Sequence, residues 1–122
     1  MSNAPHILLV DDDRQVLRYM KRALEKSGYA VTATTSGKRA VAIIQEHLPD
    51  LLILDLNMPE PDGFEVLKTE RSKFPYLRIL AVSGYHHGAL LEAAEILGAV
   101  ATLEKPVTAE VLAEKVREVL GG

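Results

Sequence analysis

The 122-residue chain has no cysteine, so no disulfide can staple it, and this absence fits a reducing, cytoplasmic setting. A chain of this size can bury roughly two-thirds of its unfolded surface, so folding needs neither a staple nor a metal. Positive charge is also in short supply. With 14 Lys and Arg against 17 Asp and Glu the formal net charge is −3, and the pI is near 5.8. That balance argues against nucleic acid as a partner of this domain, because such binding needs a concentrated basic face. No apolar stretch approaches the ~20 residues of a membrane helix, which argues against a membrane partner, and no signal-peptide pattern precedes the first apolar run. Repeats, low-complexity segments and linkers are missing too. One domain is therefore expected, over residues 5–121. Residues 1–4, with Ser2-Asn3-Ala4 resembling a scar of tag cleavage, are read as a tag remnant or disordered N-terminus. The chain stops just after its last helical pattern, so no effector domain is expected within it.

What is present is a regular alternation of short apolar runs and helical patterns. Ile7-Leu8-Leu9-Val10, Leu51-Leu52-Ile53-Leu54 and Ile79-Leu80-Ala81-Val82 are nearly continuous runs of Ile, Leu and Val, as expected of strands covered by helices on both faces. Tyr29 to Thr35 and Ala101-Thr102-Leu103 read as two further strands. Val16, Leu17, Met20, Ala23 and Leu24 share one helical face ahead of Gly28. Ser36 can cap a second helix whose inward face is Ala40, Val41, Ile43, Ile44 and His47, with Pro49 as its stop. Asp62 and Glu65 have capping-box spacing for a helix carrying Phe64, Val66 and Leu67. An Ala/Leu-rich helix over Ala89 to Leu97, closed by Gly98, is read as mostly core, with a partner surface as the alternative. A last helix begins at Thr108 and buries Val111, Leu112, Val116, Val119 and Leu120. The pattern predicts a doubly wound, five-stranded parallel α/β fold in three layers, α/β/α.

In such a sheet the carboxyl ends of the strands gather on one rim, where ligands bind. Asp11-Asp12-Asp13 follow the first run, Asp55 ends the third strand, Ser83 ends the fourth, and Lys105-Pro106 follows the fifth. These residues can meet although nearly a hundred positions separate them. Carboxylates, a hydroxyl and an ammonium together form a site for a hard cation and a phosphoryl group. A carboxylate that accepts a phosphoryl group faces a multiply anionic donor, so a divalent cation must offset the repulsion and further donors must hold the equatorial oxygens. Mg2+ prefers six oxygen ligands, and Asp12 and Asp55, with Asp11 acting directly or through water, have the right hardness.

These motifs, with Leu54-Asp55-Leu56-Asn57-Met58-Pro59, Asp62-Gly63 and Val82-Ser83-Gly84, resemble the receiver domain of two-component response regulators over residues 6 to 120. The resemblance implies the flavodoxin-like strand order 2-1-3-4-5, which the family shares with flavodoxin. It implies that Asp55 is the phosphoacceptor, that Asp11 and Asp12 hold Mg2+ with Asp55, and that the Asn57 backbone carbonyl completes the protein ligands. Ser83 takes the place of the family's switch Ser/Thr. Lys105 is the phosphoryl-binding lysine, before a cis bond to Pro106, and it should matter more to the phosphorylated state than to the fold. The partners implied are a sensor histidine kinase or phosphotransfer protein and an unidentified effector, with the chain a monomer or weak dimer. The resemblance further implies that the chain is no enzyme toward other substrates and catalyses only its own phosphorylation and dephosphorylation. Asp13 is read as the cap of the first helix.

Three departures stand out. Thr102 occupies the place of an inward-swinging aromatic residue, the acidic pair often found nearby in dimerising members is absent, and Tyr85 stands two residues beyond Ser83. Tyr85 is read either as a cover for the phosphoryl group or as a solvent-facing loop residue. His86 and His87 are read as solvated, and His6 and His47 as structural. A receiver that has lost phosphotransfer, or a phosphohydrolase using Asp11 and Asp13, are the competing readings. The second usually has Thr or Val two residues after its second Asp, where this chain has Gln15.

Overall fold

The structure, a computed structural model of the chain, describes residues 3–59, 61–84 and 88–121. The readings of Tyr85, His86 and His87 therefore lie outside the described residues. Strands and helices alternate as β1(His6–Val10), α1(Arg14–Lys26), β2(Ala30–Thr34), α2(Gly37–Glu46) and β3(Leu51–Asp55), followed by α3(Gly63–Lys73), β4(Ile79–Ser83), α4(Gly88–Ile96), β5(Ala101–Glu104) and α5(Ala109–Leu120). The sheet order is β2-β1-β3-β4-β5, every pairing parallel, which is the flavodoxin-like arrangement expected.

Successive residues of a strand point to opposite faces, and the apolar runs supply both. Leu8, Val10, Leu52, Leu54 and Ile79 pack with Ala40, Ile44, Val66 and Leu67 of α2 and α3. Ile7, Leu9, Leu51, Ile53 and Leu80 pack on the other side with Leu17, Met20 and Leu24 of α1 and with Leu112 and Val116 of α5. Every residue of β3 and β4 is buried, whereas the edge strand β2 is half-buried. Each fully buried Leu or Ile contributes about 1.5–3 kcal/mol, so the two faces together hold the three layers.

Local signals set the helix boundaries. Asp13 accepts from the Gln15 and Val16 amides, Ser36 from Arg39, Asp62 from Glu65 and Thr108 from Val111, each side chain satisfying amides that the first helical turn leaves open. After α1 and α4 the chain reverses through Gly28 (φ 98°) and Gly98 (φ 111°), where a side chain would be strained.

Three sequence expectations change. His47 is not on the inward face of α2; it is the exposed residue that ends the helix, and its ring lies 5.4 Å from that of His6. α4 is less buried than its composition suggests: only Ala94 is fully buried, Leu90 and Leu91 pack at the edge of the core, and Ile96 is 85% exposed. A helix laid along an edge of the sheet covers little apolar area, whatever its content of Ala and Leu. Val111 likewise stands exposed on α5 instead of joining the stripe of Leu112 and Val116.

One buried charged side chain was not anticipated. Glu70 occupies the inward face of α3 beside Val66 and Leu67 and is fully buried. Neither carboxylate oxygen has a hydrogen-bond partner, and the nearest cation, Lys73, is 3.9 Å away. Burial pushes its pKa above the ordinary value near 4.5, and the Lys73 charge only partly opposes this. The folded state thus holds this proton more tightly than the unfolded chain, so stability is greatest in acid and falls as pH rises through the folded pKa. Glu70→Leu should raise stability at pH 7 by about 1–3 kcal/mol, with Glu70→Gln giving less. Urea unfolding across pH should show the gain shrinking as pH falls below the folded pKa and levelling off below about 4.5, where Glu70 becomes protonated in the unfolded chain as well.

Candidate functional site

Parallel register brings the polar residues together. Val10 is the partner of Leu54, so Asp11 and Asp55 leave neighbouring strands side by side. Asp55 is the partner of Val82, and Ser83 of Glu104, which puts the hydroxyl and Lys105 at the adjoining strand ends. The Lys105 amide donates to the Ser83 carbonyl at 2.7 Å, and the Lys105-Pro106 peptide is cis. Gly63 completes the seat from below: a Cβ there would overlap the Asp55 carbonyl oxygen and the Leu56 Cα, so only glycine lets α3 begin this close to β3.

Asp11 and Asp55 are both 2% exposed, and Asp12 is exposed. One oxygen from each of the three carboxylates falls within 4.8 Å of the others. The Lys105 ammonium lies 2.8 Å from Asp11 Oδ2 and 3.5 Å from Asp55 Oδ2. The Asn57 amide donates to Asp55 Oδ1 at 3.0 Å, and the Asp13 amide to Asp11 Oδ1 at 2.9 Å. Burial pushes the Asp55 carboxyl up to about 6; the Asn57 amide and Lys105 oppose this, while the charges of Asp11 and Asp12 add to it. For Lys105, burial alone would lower the pKa, but the hydrogen bond and charge of Asp11, joined by Asp55, raise it above the ordinary value. One ammonium therefore stands against three carboxylates. The excess negative charge and the hard oxygen donors suit a small divalent cation.

Ser83 is fully buried, and its hydroxyl donates to Asn57 Oδ1 at 2.6 Å; the Gly84 amide approaches the same oxygen at 3.4 Å. This tie between the β3 and β4 ends was not read from the sequence, which gave Asn57 only a backbone role. Nothing in the pattern around residue 57 marks its side chain, because the contact depends on how two loops meet. Asp13 is directed to the Gln15 and Val16 amides, as expected of a cap. Thr102 is half-buried in β5 opposite Ala81.

An open parallel sheet with a cation-ready acidic rim and a lysine at the carboxyl end of its edge strand defines a class of flavodoxin-like α/β domain, and comparison with known proteins narrows it. The profile of the response regulator receiver domain matches residues 7–117, and the chain belongs to that family. It is 37% identical over 108 residues to the alginate biosynthesis transcriptional regulatory protein AlgB of Pseudomonas aeruginosa, covering 87% of this chain and 24% of that protein. To the photosynthetic apparatus regulatory protein RegA of Rhodobacter capsulatus it is 35% identical over 103 residues, covering 84% of this chain and 56% of RegA. The chain thus spans about a quarter to just over half of these curated relatives. Among solved structures, a CheY-like response regulator receiver domain protein from Methanospirillum hungatei superposes with a TM-score of 0.89 at 30% identity, covering 98% of this chain and 95% of the other.

The geometry bears on the reading that Lys105 matters more to the phosphorylated state than to the fold. Lys105 is the cation placed against two buried carboxylates, and removing one partner of a buried ion pair leaves the other charges uncompensated. Lys105→Met should lose about 2–4 kcal/mol at neutral pH. Thermal denaturation should recover part of that loss on adding millimolar Mg2+ or on lowering the pH below the Asp55 value of about 6, since both remove the unbalanced charge.

Proposed function

We propose that this chain is the phosphoacceptor module of a two-component signalling system, taking a phosphoryl group from the phosphohistidine of a sensor kinase or phosphotransfer protein onto Asp55 and thereby switching a surface read by an effector. The observation that carries this reading is the cluster itself, in which Lys105 reaches both Asp11 and Asp55 and Asp12 lies within cation-sharing distance. Asp11, Asp12, Asp55 and the main-chain carbonyl of Asn57 would hold Mg2+, which when bound neutralises charge on donor and acceptor oxygens. An ionised Asp55 oxygen forms the new O–P bond while the P–N bond to the donor imidazole breaks, and the imidazole nitrogen keeps the electron pair. Lys105 holds its ammonium against a phosphoryl oxygen. Ser83 can donate to another only by leaving Asn57 Oδ1, so transfer and release of the Ser83–Asn57 bond are coupled.

The chain acts on itself alone in this reading, as a cytoplasmic monomer or weak dimer. A phosphohydrolase would need Asp13 as its acid, but the Asp13 carboxylate is engaged by two helix amides. The convergence of Asp11, Asp12, Asp55 and Lys105 speaks against a receiver without phosphotransfer.

Incubation with acetyl phosphate and Mg2+ should add one phosphoryl mass, which EDTA or Asp55→Ala abolishes. Labelling that survives either treatment would overturn the assignment. In Asn57→Ala, which frees the Ser83 hydroxyl and the Gly84 amide, the Gly84 NMR resonance should move part of the way toward its position in the phosphorylated protein. A resonance that stays at the unphosphorylated position would remove the Ser83–Asn57 tie from the switch.

A further inference from the structure

The two edges of the sheet are finished differently. β5 is cut to four residues, Ala101–Glu104, ends in an exposed acid and runs at once into Lys105-Pro106. Short strands, charges and proline are devices by which proteins keep an edge from pairing with other chains. β2 carries no charge and no proline in Ala30-Val31-Thr32-Ala33-Thr34, and its register with β1 runs unbroken over five pairs, without a bulge. Its inner side is occupied: the Ala30 amide donates to the Pro5 carbonyl, and the Thr34 carbonyl accepts from the Asp11 amide. Backbone groups alternate in direction along a strand, so the N–H and C=O of Val31 and Ala33 point away from β1. Among the described residues no strand lies beyond them.

Cations stand beside this open edge. A groove of about 420 Å³ runs between α1 and the end of β2, lined by Arg14, Arg18 and Lys21 on one side and by Ala33, Thr34 and Thr35 on the other. Lys21 is already paired with Glu25 at 2.9 Å. Arg14 and Arg18 are exposed and have no carboxylate partner among the described residues. They are an i,i+4 pair of like charge, which weakens a helix, and an anion beside β2 would offset that cost. The helix that follows β2 adds to the same balance, since α2 opens with the exposed Lys38 and Arg39 and has no acid in its first turn.

We propose that β2 accepts an extended acidic segment of a partner protein as a further strand, its main chain pairing with the outward groups of Val31 and Ala33 and its alternate carboxylates meeting Arg14 and Arg18. The two residues offer about four hydrogen bonds, one N–H and one C=O each. Backbone pairing of this kind supplies affinity, and side chains at every second position supply selectivity. Side chains of an added strand alternate between the faces of the sheet, so one set lies on the α1 side, at the cationic groove. A second copy of the chain fits less well, because antiparallel pairing of two β2 strands puts both α1 helices on the same face, arginine toward arginine. A nucleic acid lacks the peptide groups that complete a ladder. The docking does not rest on phosphotransfer: it uses the edge of the sheet opposite β5 and none of Asp11, Asp12, Asp55, Ser83 or Lys105.

The test titrates the full chain with short synthetic peptides of alternating Thr and Glu, their Thr and Lys counterparts, and the Glu peptide N-methylated through its middle so that it cannot pair. The acidic peptide should slow hydrogen exchange of the Val31 and Ala33 amides and shift their resonances, leaving the Ala30 and Thr32 amides unchanged, and its binding should weaken as salt rises. In Arg14→Glu/Arg18→Glu its dissociation constant should rise about tenfold or more, with the Lys peptide now preferred. Arg14→Gln/Arg18→Gln should remove the preference and guards against misfolding of the reversal variant. Ala33→Pro deletes one outward donor at a place where an edge strand tolerates proline, and it should abolish binding; the N-methylated peptide makes the same deletion without touching the protein. Full binding of the N-methylated peptide, equal affinity for acidic and basic peptides, or protection confined to residues outside β2 would each overturn the proposal. So would protection of Val31 and Ala33 that grows with protein concentration alone, which assigns the edge to a second copy, or a DNA duplex that shifts these amides at lower concentration than the acidic peptide.

Discussion

The pairing of β1 with β3 is the constraint from which the rest of the site follows. Val10 and Leu54 are partners, and a shift of either strand by one residue would move every side chain of that strand to the opposite face. Leu8, Val10, Leu52 and Leu54 would then exchange faces with Ile7, Leu9, Leu51 and Ile53, against helices shaped for the present arrangement. The apolar core thus fixes, to within one residue, where Asp11 and Asp55 emerge. Placement of the carboxylates is a by-product of packing, and no special loop geometry is needed to bring them together.

That placement creates a standing electrostatic debt. Two carboxylates of 2% exposure share one ammonium, and a third lies close enough to feel both. The cluster holds more negative than positive charge, and the hydrogen bond from Ser83 to Asn57 lies directly beside it. A change in charge at the rim meets a polar tie between two strand ends before it meets the apolar core. The rim can therefore change while the two core clusters stay packed.

The strands, the helix caps at Asp13, Ser36, Asp62 and Thr108, and the gathering of Asp11, Asp12, Asp55, Ser83 and Lys105 at one rim were all legible in the sequence. Each depends on a local pattern: an apolar run, a capping side chain, a polar residue at a strand end. What was not legible depends on contacts between distant segments. His47 and Val111 fit the periodicity, but His47 is the cap that ends α2 and Val111 stands exposed in the first turn of α5. α4 contains enough Ala and Leu for a core helix, yet the neighbouring layer leaves Ile96 in solvent. Glu70 shows the reverse, a charged side chain that α3 turns inward because Val66 and Leu67 set the orientation of the helix. The side-chain role of Asn57 appears only when two loops are placed against each other.

Gly63 links architecture to variability. Because it rests on the Asp55 and Leu56 backbone, the excursion between β3 and α3 returns to its own starting point. Its base is a closed clasp, Leu56 and Met58 pack into the apolar core, and Pro59 stands exposed. Substitutions along the excursion can retune the surroundings of the Asp55 carboxylate while the carboxylate itself keeps its coordinates. The surroundings of a buried carboxylate can in this way diverge without any change to the fold that carries it.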